Sequence, residues 1–184
     1  METTTIFKAI EFAATAHRGQ YRKGSKIPYI IHPLGTANIL IDLGCSEEIV
    51  AAAILHDTIE DTNVTKNDIL KSFGPVIAGL VEQVTEPDRS KSWENRKRHT
   101  IEHLKTAPLE VLLIACADKL DNITATQQEY SKVGEAVWLR FNRRKEHQQW
   151  YFHELENVFM SRINGGPSAT LFRRFQREVE KVFG

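Results

Sequence analysis

Apolar residues recur along most of the chain at intervals of three and four, the spacing that places them on one face of an α-helix. No segment alternates regularly enough to predict a β-strand, and neither a hairpin signal nor an internal repeat is found. We therefore predict an all-α fold, a compact helical bundle of about eight helices. The predicted helices run over 5–17, 33–44, 46–57, 65–74, 75–85, 93–105, 108–123, 135–162 and 169–183.

Some of these helices begin and end at residues with a known role at helix termini. Pro33 suits the first turn of a helix, and Gly44 suits the position just after one. Ser46 is a favourable N-cap, and the two glutamates that follow it would lie next to the positive end of the helix dipole. Thr65 and Asp68 have the spacing of a capping box. These residues predict the starts of the second, third and fourth helices.

The clearest break in the chain is the sequence NGGPS at 164–168. We place one domain at 1–163 and, after it, a linker with a C-terminal amphipathic helix at 164–184. A polar loop, EPDRSKS, is expected at 86–92. The apolar side of the final helix either packs on the domain or forms a homodimer contact. That side carries Leu171, Phe172, Phe175, Val179 and Val182.

The overall composition narrows the classes of partner. The 184 residues include 24 basic and 24 acidic side chains, so the formal net charge is zero. Nothing in this balance favours nucleic acid or a membrane surface, and any attraction for an anion must be local. No apolar run reaches the roughly 18 residues of a membrane-spanning helix. The start lacks a basic stretch followed by an apolar one, so no signal peptide is expected. We expect a cytoplasmic protein.

The sequence AAAILHDTIEDT, residues 51–62, ends an apolar helix in a cluster of ionisable groups. If the helix continues locally, His56 lies over Glu60 and Asp57 lies over Asp61, since residues four apart share a face. Carboxylates at the C-terminal end of a helix oppose its dipole. The cluster therefore predicts a cation that compensates the acidic charge.

A second buried carboxylate is predicted in VLLIACADKLDN, residues 111–122, where Asp118 follows seven almost purely apolar residues. An unpaired carboxylate in such a place costs several kcal/mol or takes up a proton. Two partners stay open at this point. One is a salt bridge with a lysine or arginine, and the other is a metal ion.

His32 stands in YRKGSKIPYIIHP, residues 21–33, between Ile31 and Pro33. Alone, it reads as a core histidine with a satisfied hydrogen bond. Together with the two stretches above, it completes a set of imidazole and carboxylate groups from three helices. Such a mixed set suits one divalent transition metal ion such as manganese, iron or zinc. The set consists of His32, His56, Asp57 and Asp118.

The order of these residues resembles the HD superfamily of metal-dependent phosphohydrolases. The stretches GQYRKGSKIPYIIHP, AAAILHDTIEDT, FGPVIAGLVEQVTE and ADKLDN are similar to the hydrolase domain of RelA/SpoT proteins and to the free-standing small alarmone hydrolases, including the metazoan SpoT homologue. The likeness covers roughly residues 5–160 and implies an HD-domain helical bundle. It also implies hydrolysis of the alarmone (p)ppGpp at the 3′ position, with release of pyrophosphate and GDP or GTP.

The resemblance implies a role for each candidate residue. His32, His56, Asp57 and Asp118 match the metal ligands, and the ion is usually manganese. The acidic residues Glu60 and Asp61 match the catalytic pair, and a carboxylate there can orient a water molecule or accept its proton.

Three substrate-binding residues follow from the same resemblance, and Lys97 and Tyr29 are further candidates from the sequence itself. Arg22 and Lys23 match basic residues of the nucleotide pocket, and Asn122 matches a substrate-contacting asparagine. Lys97 could reach the phosphates or belong to a solvated basic helix face. Tyr29 either lines the pocket or packs in the core.

The chain departs from the family pattern at two positions. Relatives often read ADKLHNxR, whereas this chain reads ADKLDNIT, with Asp121 in place of the histidine and Thr124 in place of the arginine. The second change removes one expected phosphate contact and leaves the identity of the substrate open.

Two other functions therefore remain as alternatives. One is a related nucleotide phosphohydrolase, for example an NADPH 2′-phosphatase or another purine nucleotide pyrophosphohydrolase. The other is a non-catalytic nucleotide sensor, against which Glu60 and Asp61 argue because a sensor needs no group that activates water. In every case the partner is a small-molecule nucleotide.

Overall fold

The structure, a computed structural model, describes residues 4–86 and 90–184. No β-strand occurs in these ranges, apart from an isolated bridge between Tyr21 and Pro28. The predicted all-α class is confirmed. The helices are α1 (Thr5–Ala16), α2 (Ile31–Asp42), α3 (Glu47–Leu55), α4 (Thr58–Asp61), α5 (Lys66–Val84), α6 (Trp93–Thr106), α7 (Leu109–Val133), a 3₁₀ helix (Gly134–Arg140), α8 (Lys145–Ser161) and α9 (Gly166–Phe183).

The starts predicted for the second, third and fourth helices lie within two residues of those observed. Pro33 lies in the first turn of α2, and Ser46 stands at the N-cap of α3, although its hydroxyl makes no capping hydrogen bond. Thr65 forms the predicted capping box, since its hydroxyl accepts from the Asp68 N–H and the Asp68 carboxylate accepts from the Thr65 N–H. The expected polar loop at 86–92 falls partly on residues 87–89, outside the described ranges.

The predicted single helix over 135–162 is wrong. The long helix α7 instead continues to Val133, the 3₁₀ helix follows, and α8 begins only at Lys145. Gly134 has a φ of 58°, which ends the regular helix. The segment then turns inward because Trp138 stacks on Phe183, with 5.4 Å between ring centroids. Burial of this indole outweighs the helical propensity of the surrounding residues.

Helix α7 is the centre of the bundle. It packs against α2, α3, α5, α9 and the 3₁₀ helix. Helix α3 is also deeply placed, since every residue from 50 to 55 is buried. Helices α2, α3 and α7 pack on one another. His32 on α2, His56 directly after α3 and Asp118 on α7 are thereby brought to one place.

The C-terminal helix α9 packs against α7 and α8 of its own chain. Phe175 is fully buried and contacts the rings of Phe152 and Phe159, at 6.0 and 5.2 Å between centroids. The apolar side predicted from the sequence is the buried side of α9. The division of the chain at residue 163 stays a prediction.

Helix α5 is kinked at Gly74, where the sequence predicts one helix to end and another to begin. Gly74 has φ 81° and ψ 175°, and Pro75 follows it. This backbone conformation is open to glycine and strained for any residue with a Cβ atom. The kink therefore depends on glycine at this position.

We expect Gly74→Ala to lower the free energy of unfolding by about 2 kcal/mol, because alanine is strained at this φ and ψ. A Cβ atom there would meet no other group within 4 Å, so the loss reports backbone strain alone. Gly79→Ala in the same helix is the matched control. It also has open space around the added methyl group, and it should leave stability unchanged or raise it by up to about 1 kcal/mol. Urea unfolding of both variants checks this. Equal stabilities would contradict the strain.

Candidate metal centre

Three buried side chains from three helices point their ligand atoms at one another. His32, His56 and Asp118 are 3%, 3% and 8% exposed. Their ligand atoms all lie within 4.8 Å of one another. Asp118 Oδ1 is 3.2 Å from His32 Nε2 and 3.8 Å from His56 Nε2. These separations match atoms that share one ion as neighbours in its coordination shell.

The carboxylate of Asp57 lies beside this group. Its Oδ2 lies 3.1 Å from His56 Nε2 and 3.6 Å from His32 Nε2. Asp57 comes directly after His56, in the turn between α3 and α4, so one chain segment offers both side chains. The structure therefore brings together all four residues that the sequence predicts as metal ligands.

Both histidines are oriented by the nitrogen that faces away from this group. His32 Nδ1 donates to Asp121 Oδ2 at 2.6 Å, and His56 Nδ1 donates to the carbonyl oxygen of Ala53 at 2.7 Å. A carboxylate and a carbonyl only accept, so each Nδ1 carries a proton, and each Nε2 is the nitrogen directed at the group. His56 Nε2 is buried and faces the carboxylates of Asp57 and Asp118. Both rings have the form that a metal ligand needs.

The electrostatics of the group demand positive charge. Burial lowers the pKa of His56, but the charge and hydrogen bond of Asp57, with the charge of Asp118, outweigh it and raise that pKa to about 9. Burial raises the pKa of Asp57, yet the histidine charges bring it below its usual value. Without another cation, the imidazole protons balance the carboxylates. A divalent ion between the four side chains would supply the same charge.

Of the two partners left open for Asp118, the salt bridge is formed at one carboxylate oxygen, and the other oxygen faces the candidate metal site. Oδ2 lies 2.7 Å from Lys119 Nζ, whereas Oδ1 faces the two histidines. Asn122 Nδ2, one helical turn later, donates to the same Oδ1 at 2.6 Å. The charge of Lys119 holds the pKa of Asp118 well below its usual range, although burial acts in the opposite direction. Asp118 is thus an anion with one oxygen directed at the site.

Tyr29 connects two carboxylates of the site, those of Asp57 and Asp61. Its hydroxyl donates to Asp57 Oδ2 at 2.6 Å and lies 3.2 Å from Asp61 Oδ2. Its ring packs on His17 at 4.9 Å between centroids. Burial and the neighbouring Asp57 raise the pKa of the Tyr29 phenol, so this hydroxyl stays a donor. The Tyr29 ring therefore packs in the interior, while its hydroxyl donates to the carboxylates of Asp57 and Asp61.

The short helix α4 places Glu60 and Asp61 beside the four candidate ligands. Burial, followed by the charges of Glu86, Asp57 and Asp61, raises the pKa of Glu60. A carboxylate with a raised pKa is better suited to accept a proton near neutral pH. The carbonyl oxygen of Asp61 accepts a hydrogen bond from Gln20 Nε2 at 2.7 Å, which anchors the end of the helix.

A cavity of about 380 Å³ opens on this group. Its described lining contains more carboxylates than basic side chains. Lys97, Asn122 and Tyr29 line it as the sequence predicts, whereas Arg22 and Lys23 are not among the lining residues. The acidic residues of the lining are Asp57, Glu60, Asp61, Glu82, Glu86 and Asp118.

The predicted basic residues occupy different surroundings. Lys97 is no solvated surface charge, since it pairs with Glu86 and lies over the Tyr151 ring at 4.9 Å. Arg22 Nη2 lies 3.9 Å from Asp121 Oδ2. Lys23 Nζ donates to Asn142 Oδ1 at an exposed position. Of the three, Lys97 alone lines the cavity, and Arg22 approaches the group through Asp121.

Sequence reasoning missed three residues of the site. Lys119 pairs with Asp118, Asp121 holds His32, and Glu86 pairs with Arg96 and Lys97. The pairing of Lys119 had a signal, because it directly follows a carboxylate predicted to need a partner. Asp121 also had one, as the residue that departs from the family pattern. The pairing of Glu86 had no such signal, because its partners lie on helix α6, which follows it in the chain.

Comparison with known proteins places the chain in a family. Residues 9–147 match the HD domain. The chain is 39% identical over 125 residues to the guanosine-3′,5′-bis(diphosphate) 3′-pyrophosphohydrolase MESH1 of Drosophila melanogaster, and the alignment covers 66% of this chain and 69% of that protein.

No described helix combines the length and the apolar character needed to cross a membrane.

Two solved structures are similar over most of their length. The crystal structure of lmo0812 from Listeria monocytogenes superposes with a TM-score of 0.78 at 40% identity, covering 83% of this chain and 98% of that one. A metazoan ortholog of SpoT that hydrolyzes ppGpp and plays a role in starvation responses superposes with a TM-score of 0.77 at 29% identity, covering 96% and 97%. The second match includes almost the whole chain.

We expect Glu86→Gln to lower the free energy of unfolding by about 2 kcal/mol at neutral pH, because Arg96 and Lys97 lose their charged partner. Burial raises the pKa of Glu86, but the charges of Lys97, Lys119 and Arg96 bring it below the ordinary 4.5. The carboxylate therefore stabilises the fold fully above pH 4.5, and this contribution is lost as the pH falls through the lowered pKa.

Urea unfolding at neutral and acidic pH measures this difference between the two proteins. Glu102→Gln, on the helix α6 that carries Arg96 and Lys97, is the matched control, since the Glu102 side chain is 68% exposed. An exposed pair contributes little, so this variant should match the wild type at each pH. A loss for Glu86→Gln that does not shrink in acid would contradict the charge assignment.

Proposed function

The chain belongs to the HD domain family, and on that basis we propose that it hydrolyses guanosine 3′,5′-bis(diphosphate) at the 3′ position with the help of a bound divalent metal ion. The observation that carries this proposal is the convergence of two oriented imidazoles and two carboxylates beside an acidic cavity. A relative that shares 39% of aligned residues carries the name of this activity. The products are pyrophosphate and guanosine 5′-diphosphate.

We propose His32, His56, Asp57 and Asp118 as the ligands of one divalent ion. Two imidazole nitrogens and two carboxylate oxygens suit manganese, iron or zinc, and the family resemblance favours manganese. When bound, the ion supplies positive charge that lowers the pKa of a nearby water and polarises a phosphoryl oxygen. A cytoplasmic location, the lack of a nucleic-acid partner and a homodimer stay predictions.

In the proposed reaction, a water oxygen forms a bond to the phosphorus attached to the ribose 3′ oxygen. The bond between that phosphorus and the 3′ oxygen breaks, and the 3′ oxygen leaves with a proton. Glu60 is the group that we assign to accept the proton of the attacking water, because its pKa is raised. Asp61, fixed through Tyr29 and Gln20, orients the water.

The charge of the cavity explains why the reaction needs a cation. A nucleotide with two diphosphates carries several negative charges, and the lining is itself rich in carboxylates. Lys97 and Lys119 both form ion pairs with carboxylates, which offset part of their positive charge. A divalent ion would offset the repulsion between the cavity and the phosphates. We assign Arg22, Lys23 and Asn122 to the nucleotide.

The first prediction of this proposal concerns turnover. With Mn²⁺, the purified protein should release pyrophosphate from the alarmone, and EDTA should abolish the release. Asp57→Ala should lose metal binding and turnover together, because Asp57 Oδ2 lies next to both histidine nitrogens. Asp42→Ala, at an exposed position at the end of α2, is the matched control and should keep both.

Three results would contradict this prediction. Turnover of NADPH or another purine nucleotide, with none of the alarmone, would assign the site to a related phosphohydrolase. Binding of nucleotides without turnover of any of them, in protein shown to hold the metal, would favour a sensor. Full activity of Asp57→Ala would overturn the ligand assignment itself.

The second prediction separates catalysis from binding. Glu60→Gln should lower kcat by roughly 10²- to 10⁴-fold, the usual contribution of a general base. Affinity for Mn²⁺ should stay within about twofold, since Glu60 is not among the four proposed ligands. Initial rates and calorimetric titration measure the two quantities. Glu11→Gln, exposed on α1, is the control. A fall in metal affinity equal to the fall in kcat would show that Glu60 acts as a ligand.

A further inference from the structure

Asp121 makes a contact that the proposed reaction does not use directly. Its Oδ2 accepts the hydrogen bond from His32 Nδ1 at 2.6 Å. Asp121 stands three residues after Asp118, so both carboxylates project from the same side of α7 toward α2. One helix thereby supplies a carboxylate to each nitrogen of the same imidazole, Asp118 at Nε2 and Asp121 at Nδ1.

The space for the Asp121 carboxylate comes from a glycine on the facing helix. Gly35 follows His32 by three residues in α2, and a methyl group added there would overlap the Asp121 carboxylate. Any larger residue at this position would push Asp121 away or separate α2 from α7. The glycine therefore allows the carboxylate to approach the imidazole.

The surroundings of Asp121 keep it able to act as an acceptor. The guanidinium of Arg22 lies 3.9 Å from the same Oδ2, and the Asp121 side chain is 24% exposed. Arg22 and His32 thus share one oxygen of the Asp121 carboxylate. The Nδ1 proton of the His32 ring points at this oxygen, so Nε2 is the nitrogen that faces Asp57 and Asp118.

The two histidines differ in the group that orients them. His56 Nδ1 is held by the neutral carbonyl of Ala53, whereas His32 Nδ1 is held by a charged carboxylate. A charged acceptor forms the stronger hydrogen bond and makes the opposite nitrogen a better electron donor. His32 is therefore the more strongly polarised of the two candidate ligands.

We propose that Asp121 is a positioning residue that makes His32 a competent metal ligand, and that Gly35 provides the room for it. This inference rests on the proposed metal site. It assigns a function to the residue at which the chain departs from the usual family sequence. Asp121 acts through His32 and touches neither the metal nor the substrate.

Metal affinity, measured without any nucleotide, tests the proposal. Asp121→Ala should weaken Mn²⁺ binding by roughly 10- to 100-fold, the usual cost of losing the group that orients a histidine ligand. Asp121→Asn should recover part of this loss, because an amide oxygen still accepts the Nδ1 proton but carries no charge. Asp42→Ala should bind as the wild type does. Equal affinity of Asp121→Ala and the wild type would overturn the proposal.

A double-mutant cycle tests the role of Gly35. Gly35→Ala should weaken Mn²⁺ binding because the added methyl group displaces the carboxylate. In the Asp121→Ala background the same change should cost nothing further, since the group that it displaces is gone. Gly79→Ala is the matched helical glycine and should leave affinity unchanged. Losses that multiply in the double variant would show that Gly35 acts independently, against the proposal.

A spectroscopic readout separates positioning from general damage to the fold. NMR of the His32 ring in metal-free protein should show a hydrogen-bonded Nδ1–H in the wild type, and this signal should be lost or shifted in Asp121→Ala. An unchanged Nδ1–H signal would overturn the proposal. Wild-type protein that binds Mn²⁺ as described but hydrolyses no alarmone would overturn the proposed function while leaving the role of Asp121 supported. Wild-type protein that binds no divalent ion would overturn both.

Discussion

The burial of Asp118 and the partial burial of Asp57 against two histidines are the constraint on which the site depends. Moving carboxylates out of water costs several kcal/mol each unless cations and hydrogen bonds replace the lost hydration. The close packing of α2, α3 and α7 keeps water away from much of this group, so the replacement must come from the protein or from a bound ion. The imidazoles of His32 and His56, together with Lys119, supply it in the protein alone.

This constraint links metal binding to the recognition of an anionic substrate. Each oxygen of Asp118 has its own environment, with Lys119 at one and the histidines at the other. The lysine offsets part of the acidic charge without occupying the space between the four side chains. What remains is a negative cavity, which repels phosphates unless further positive charge enters. A single divalent ion meets both needs, since it pairs with the carboxylates and attracts the substrate.

Much of this arrangement could be predicted from the sequence, because it follows from local signals. Apolar spacing, Pro33 and the Thr65 capping box indicated the helices, and the succession of histidine and aspartate indicated a shared cation. The prediction of a single helix over 135–162 failed because of tertiary packing, since the stacking of Trp138 on Phe183 joins residues far apart in the chain. The pairing of Lys97 with Glu86 also depends on tertiary packing, which brings α6 against the end of α5, so the sequence pattern did not predict it.

The residue that least resembles the family pattern, Asp121, completes the network around the site. Three polar residues stand within two turns of α7. Asp118 faces the two histidines. Asp121 accepts a hydrogen bond from Nδ1 of His32, and Asn122 donates one to Oδ1 of Asp118. A histidine at 121 would have no fixed negative charge to offer the His32 ring. The aspartate does, but only because Gly35 leaves room for it. Positions 35 and 121 therefore have to be considered together, since the side chain at one sets what the other can accommodate.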